Sequence, residues 1–227
     1  MPARIQGGGT RCDGCTPPTL VPAANDIDMA TRVLVTGFEP FGESDDNPSM
    51  QIVRALQRDP PPGIELATGV LPVTWKGAWP ALRRLLDEAR PNAVLMLGQS
   101  GKRPSVTVER FGLNFGQGRL ADNDGIERPP GPLIEGAPLA LPATIDVERV
   151  VDAMMDAGVE ARSSHDAGAF LCNAVLFHAL WHAADGATAG FVHVPMLPGQ
   201  SGASEDEPTM SAARSERAVR AAIAAAD

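Results

Sequence analysis

Apolar positions along this chain follow two periods in turn, one suited to strands and one to helices. Arg32–Thr36 is a short apolar run of strand length, and it enters a loop rich in turn residues and aromatics, Gly37-Phe38-Glu39-Pro40-Phe41-Gly42. Asn47 is placed to cap a helix, Pro48 suits its first turn, and Ile52, Val53 and Leu56 form an apolar stripe at helical spacing. Ile64–Val73 reads as a strand, Trp75–Arg90 as an amphipathic helix, and Ala93–Leu97 as the continuous apolar run of a central parallel strand. Residues 98–145 break the rhythm with many Gly and Pro; within them Ser105–Glu109 and Gly112–Phe115 look like short strands. A long irregular excursion in a compact domain is more often functional than idle.

Regularity returns with a helix near Asp146–Ala157, a strand near Val159–Ser163, a helix from Cys172 to about Ala184, a strand at Ala189–Val194 and an Ala-rich helix from about Ser211. Such alternation predicts an α/β fold: a mostly parallel, twisted sheet with helices on both faces. Functional loops then belong at the carboxyl ends of the strands.

Composition narrows the function classes. With 227 residues the chain fits one α/β domain with a large core. Its formal charge is -9, and no run of Lys or Arg interleaves with aromatics, so nucleic acid is not an expected partner. No apolar stretch approaches the roughly 20 residues of a membrane helix, so no membrane partner is expected either. Residues 1–28 hold Gly7-Gly8-Gly9 and Pro17-Pro18 with little apolar periodicity and read as a flexible N-terminal extension; residues 29–227 form the folded domain. Met29 sits just before the first convincing strand, the position an alternative start would take. The extension lacks the apolar middle of a secretory signal, and three cysteines are too few for a disulfide scaffold, so the expected compartment is cytoplasmic. Cys12 and Cys15 form a CxxC without a second pair or a nearby histidine, and a local disulfide is its most plausible chemistry.

Three residues carry candidate chemistry. Cys172, the one cysteine of the folded body, falls at a helix start, where unpaired N–H groups favour a thiolate and offer donors to an oxyanion. Burial as a small apolar residue would explain it equally well. His193 ends an apolar strand at the sheet's carboxyl edge, as a base facing a cleft or a core histidine would. Glu109 lies in the strand-like Ser105-Val106-Thr107-Val108-Glu109-Arg110; the pattern alone makes it a surface residue, whereas an inward carboxylate would need a partner such as a histidine N–H. His178 and His182 have metal-binding i, i+4 spacing but no third ligand, and their helical positions suggest a partly exposed face. His165 lies in a polar loop and reads as solvated.

Five blocks occur in an order that resembles the pyroglutamyl peptidase I family, also called pyrrolidone-carboxylate peptidases, over roughly residues 31–226. They are Val35-Thr36-Gly37-Phe38-Glu39-Pro40-Phe41-Gly42 with Asn47-Pro48-Ser49; Gly98-Gln99-Ser100-Gly101-Lys102-Arg103 with Thr107-Val108-Glu109-Arg110 and Asn114; Asp122-Asn123-Asp124-Gly125; Ala167-Gly168 with Cys172-Asn173; and Gly190-Phe191-Val192-His193-Val194-Pro195 with Pro198 and Gln200.

The resemblance implies a three-layer α/β/α sandwich and a cysteine exopeptidase that removes an N-terminal 5-oxoproline from peptides without metal or cofactor. By the same resemblance Cys172 is the nucleophile, His193 the base and then acid, and Glu109 the residue that orients the imidazole. Phe38, Phe41, Gln99, Phe170 and Leu171 are expected to bind the substrate ring, and Arg119 to assist at the oxyanion. A pocket for a lactam should be neutral and apolar, because a charged amine entering it loses hydration without compensation. Lys102 stands where the family usually has glycine, Ala121 where proline commonly precedes the Asp, and Phe177 replaces a common tyrosine. The triad is intact; loop detail and contacts in a homo-oligomer stay open.

Overall fold

A computed structural model describes residues 31–118, 120–182, 186–200 and 207–226. The extension, Arg119 and the last residues expected in the Cys172 helix lie outside the described residues. Six strands form one sheet: β1 (Thr31–Phe38), β2 (Ile64–Leu71), β3 (Ala93–Ser100), β4 (Val106–Glu109), β7 (Ala161–Ser164) and β8 (Thr188–Pro195), in the order β2-β1-β3-β8-β4-β7. β5 (Phe111–Leu113) and β6 (Ala140–Pro142) make a separate antiparallel ribbon. All pairings in the main sheet are parallel except that of β4 with β8.

Each strand divides its side chains between two cores. On one face Val33, Val35, Leu95, Leu97, Val192 and Val194 pack against α1 (Pro48–Arg58), α3 (Val147–Asp156) and α5 (Ala212–Ala225). On the other, Leu34, Phe38, Val94, Met96 and Phe191 pack against α2 (Ala78–Ala89) and α4 (Leu171–His182). This is the three-layer sandwich, with the period-2 pattern of the strands buried on both sides.

The helix starts follow local chemistry. Asn47 accepts the Ser49 N–H at 3.0 Å, with Pro48 in the first turn of α1. Asp146 and Ser211 cap α3 and α5 in the same way. The expected helix at Trp75 begins later, at Ala78, because Thr74–Gly77 form a turn in which Gly77 donates to the Thr74 hydroxyl at 3.0 Å. The β2 strand stops at Leu71, before Pro72.

Helix α4 is buried on nearly every side because it lies between the sheet and the β5–β6 ribbon. Asn173, fully buried, accepts the Leu113 N–H at 2.8 Å and donates to the carbonyls of Leu113 at 2.9 Å and Phe115 at 2.8 Å. Gly112 lets the ribbon reach the helix; a Cβ there would lie 2.9 Å from Phe177 backbone. The irregular excursion therefore clamps the helix that carries Cys172.

Candidate active site

The carboxyl ends of β1, β3 and β8 open toward one edge of the sheet, and the site assembles there. Gly98 of β3 lies beside His193 of β8 in parallel register, and Thr107 of β4 lies on the other side of His193. Partners in register point to the same face, so His193 faces the layer holding α2 and α4. Phe191, two residues earlier on that face, contacts the imidazole with ring centroids 4.7 Å apart. Cys172 reaches the same place from α4. A Cβ on Gly98 would stand 2.9 Å from the Cys172 sulfur and 2.7 Å from the Phe191 ring, so only glycine leaves room for the thiol over the strand.

Glu109 is completely buried and accepts the His193 Nδ1–H at 2.8 Å. The strand reversal explains its depth: with Thr107 opposite His193 and Val108 opposite Val192, Glu109 falls one pleat further into the sheet, near Phe191. The surface position suggested by pattern alone is thus wrong, and the paired inward carboxylate is what the fold builds. Arg103, on the β3–β4 connection, donates to Glu109, to the Thr107 hydroxyl and to the Asp166 carbonyl, tying the acid to the loop that leads into α4. Its motif was visible in sequence, but nothing in its spacing revealed this role.

These contacts set the resting protonation states. Burial alone would raise the Glu109 carboxyl, yet the hydrogen bond from His193, the charge of that ring in the acid range where it is protonated, and contacts with Ser164 and Arg103 bring it down to about 2. It is therefore an acceptor only, which fixes the proton of His193 on Nδ1 and leaves Nε2 as a base. Desolvation lowers His193 below its ordinary value despite Glu109, so the ring is neutral. Burial and the Glu109 charge push the Cys172 thiol up to about 12; its own backbone N–H and Arg103 pull the other way and lose. Burial therefore outweighs the helix start, and the resting group is a neutral thiol.

Phe38, Phe41, Gln99, Phe170 and Leu171 line one small cavity with Cys172, joined by Asn47 and Val73. Gln200 holds one wall, donating to the Gln99 side chain at 2.8 Å and to the Ser44 hydroxyl at 2.9 Å. Asn123 donates to Glu39 at 2.8 Å and to the Pro40 carbonyl at 3.0 Å, while Asp122 accepts the Trp75, Asp124 and Ile126 N–H groups, so the Asp-Asn-Asp-Gly loop staples the Phe38–Phe41 segment. The i, i+4 histidines have another role: His178 and His182 stack on Trp79, with centroids 5.1 and 4.9 Å away. His178 is partly buried and His182 exposed. Among the described residues no group of three or more His, Cys, Asp or Glu side chains is arranged to hold a metal. His165 is exposed and stacks loosely on Phe111.

A model of the family described as pyroglutamyl peptidase matches residues 31–227. The chain belongs to the pyroglutamyl peptidase family. It is 44% identical to a pyrrolidone-carboxylate peptidase of Thermococcus kodakarensis over 72% of this chain and 81% of that protein. It is 36% identical to one of Klebsiella pneumoniae, covering 86% of this chain and 92% of that protein. The pyrrolidone carboxyl peptidase structure from Thermococcus litoralis superposes with a TM-score of 0.80 at 34% identity, covering 86% of this chain and 93% of that one. The pyroglutamyl peptidase fold is thus present over the described domain, and among the described residues no helix is long and apolar enough to cross a membrane.

Proposed function

We propose that this chain hydrolyses the bond after an N-terminal pyroglutamyl residue, with Cys172 as nucleophile, His193 as general base and then acid, and Glu109 orienting the imidazole. The observation that carries the reading is the Glu109–His193 hydrogen bond beside a thiol seated over Gly98. With its thiol pushed up to about 12 by burial, Cys172 rests protonated and needs a base to attack. His193 Nε2 takes the proton as sulfur attacks the pyroglutamyl carbonyl, and the Glu109 carboxylate stabilises the imidazolium that forms. The imidazolium gives its proton to the leaving amine, the C–N bond breaks, and a thioester remains. Water, deprotonated by His193, hydrolyses it and restores the thiol.

The Cys172 backbone N–H, which lies against the sulfur, is the first oxyanion donor, and Arg119 is assigned a supporting part. Phe38, Phe41, Phe170 and Leu171 enclose the lactam, with Gln99 supplying directed polar contact. The cavity is a small one beside the sulfur. Of its lining, Phe41 and Phe170 are half-buried and pack against the core. Residues 29–227 act as the catalytic domain. A reducing, cytoplasmic setting keeps the free Cys172 thiol available, and the substrates are peptides with an N-terminal pyroglutamate.

The test is turnover of matched pyroglutamyl, prolyl and glutaminyl amides of one fluorogenic amine under reducing conditions. Selective release from the pyroglutamyl amide is expected. Equal turnover of the prolyl amide would contradict the lactam-specific pocket.

A further inference from the structure

The cavity beside Cys172 opens at Phe41 and Phe170 into a second, larger groove of about 680 Å³, and these two residues belong to both. Beyond them the groove is walled by Leu113, Phe115 and Leu120; Phe115 is 39% and Leu120 67% exposed, which is unusual for side chains of this size. Its polar lining is Lys102, Gln117 and Asp166. A substrate whose ring fills the inner cavity sends its following residue outward through this groove.

Lys102 is exposed, and among the described residues no carboxylate lies within ion-pair distance of its ammonium. Asp166 is otherwise engaged: its carboxylate accepts the Gly168 N–H at 2.8 Å and its carbonyl accepts from Arg103. Among the described residues the groove therefore presents apolar walls, the Asp166 carboxylate and one cation without an ion pair, Lys102, in a protein whose formal charge is -9. Apolar walls suit an apolar side chain, so the anion that meets Lys102 comes from the peptide backbone rather than from an acidic side chain.

Resting on the pyroglutamyl reading, we propose that Lys102 makes the enzyme favour short substrates: pyroglutamyl dipeptides with an apolar second residue, whose free C-terminal carboxylate pairs with the ammonium in the outer groove. An exposed pair of this kind changes kcat/KM modestly, about two- to five-fold, and is weakened by salt.

The experiment compares pyroglutamyl-leucine with pyroglutamyl-leucine amide on the wild type, Lys102→Met and Lys102→Glu, reading the acid-to-amide ratio of kcat/KM within each protein so that a general loss of activity cancels. The wild type is expected to prefer the acid about two- to five-fold at low salt and less at high salt, K102M to lose the preference and K102E to reverse it. A ratio unchanged in K102E, or a wild-type preference for the amide, would overturn the role of Lys102 and leave the pyroglutamyl reading standing. Failure of the wild type to cleave either peptide would overturn both.

Discussion

At the scale of single residues, the site is set by which charges burial permits. Glu109 can be ionised while fully buried because Arg103 and His193 surround it, whereas for Cys172 the pull of Arg103 and its own backbone N–H is outweighed by burial and the Glu109 charge, and it stays protonated. The pH profile separates this arrangement from a preformed ion pair. Because His193 lies below its ordinary value of 6.5, kcat/KM should hold through neutral pH and fall only as pH drops into the range where the buried imidazole protonates. No rise should appear between pH 8 and 9, since the thiol does not ionise there; a tenfold gain per unit in that range would mean that free thiolate is the nucleophile. Gly98 gives a second residue-scale test. Gly98→Ala places a methyl 2.9 Å from the sulfur, and displacement of the nucleophile by a fraction of an ångström should lower kcat/KM by about a hundredfold with a smaller loss of stability. Steady-state kinetics beside thermal denaturation separates the two.

At the scale of elements, the parallel strands and amphipathic helices were legible because each buries a simple pattern. The period-2 runs at β1, β3 and β8 and the stripe of α1 are local signals, and their caps lie in the same few residues. The start of α2 was misplaced because a side-chain bond from Thr74 captures the first turn, a competition that hydrophobic period does not report. Glu109 was illegible for a different reason. Whether its strand runs parallel or antiparallel to β8 decides its depth, and that pairing is non-local. The blocks that resemble the family nevertheless grouped Glu109, His193 and Cys172 before any geometry, and the five pocket residues fall around one cavity. The clamp on α4 is testable at this scale. Asn173→Ala leaves the Leu113 N–H and two carbonyls unpaired in the interior, which should cost about 3 kcal/mol or more and lower Tm by about 6–12 °C. A fall of less than about 2 °C would mean that the β5–β6 ribbon holds α4 without these bonds.

At the scale of the whole molecule, the same three titrating groups shape stability against pH. Glu109 and His193 are both lowered in the folded state, so each stabilises above its ordinary value and loses that contribution as pH falls, His193 below 6.5 and Glu109 between 4.5 and about 2. Cys172 is raised, so its contribution is complete below 9.0 and lost as pH climbs from there to about 12. Thermal denaturation across pH should therefore show a plateau between about 6.5 and 9, and Cys172→Ala should flatten the alkaline side alone. An alkaline slope unchanged by that substitution would assign it to other groups.

The central claim is that the thiol over Gly98 breaks the pyroglutamyl bond, and release of amine from a pyroglutamyl amide by wild type and Cys172→Ala under reducing conditions tests it most directly. The wild type should turn over and the variant, folded by circular dichroism, should retain less than about one part in a thousand of its kcat/KM. Comparable turnover by the two proteins would contradict the account.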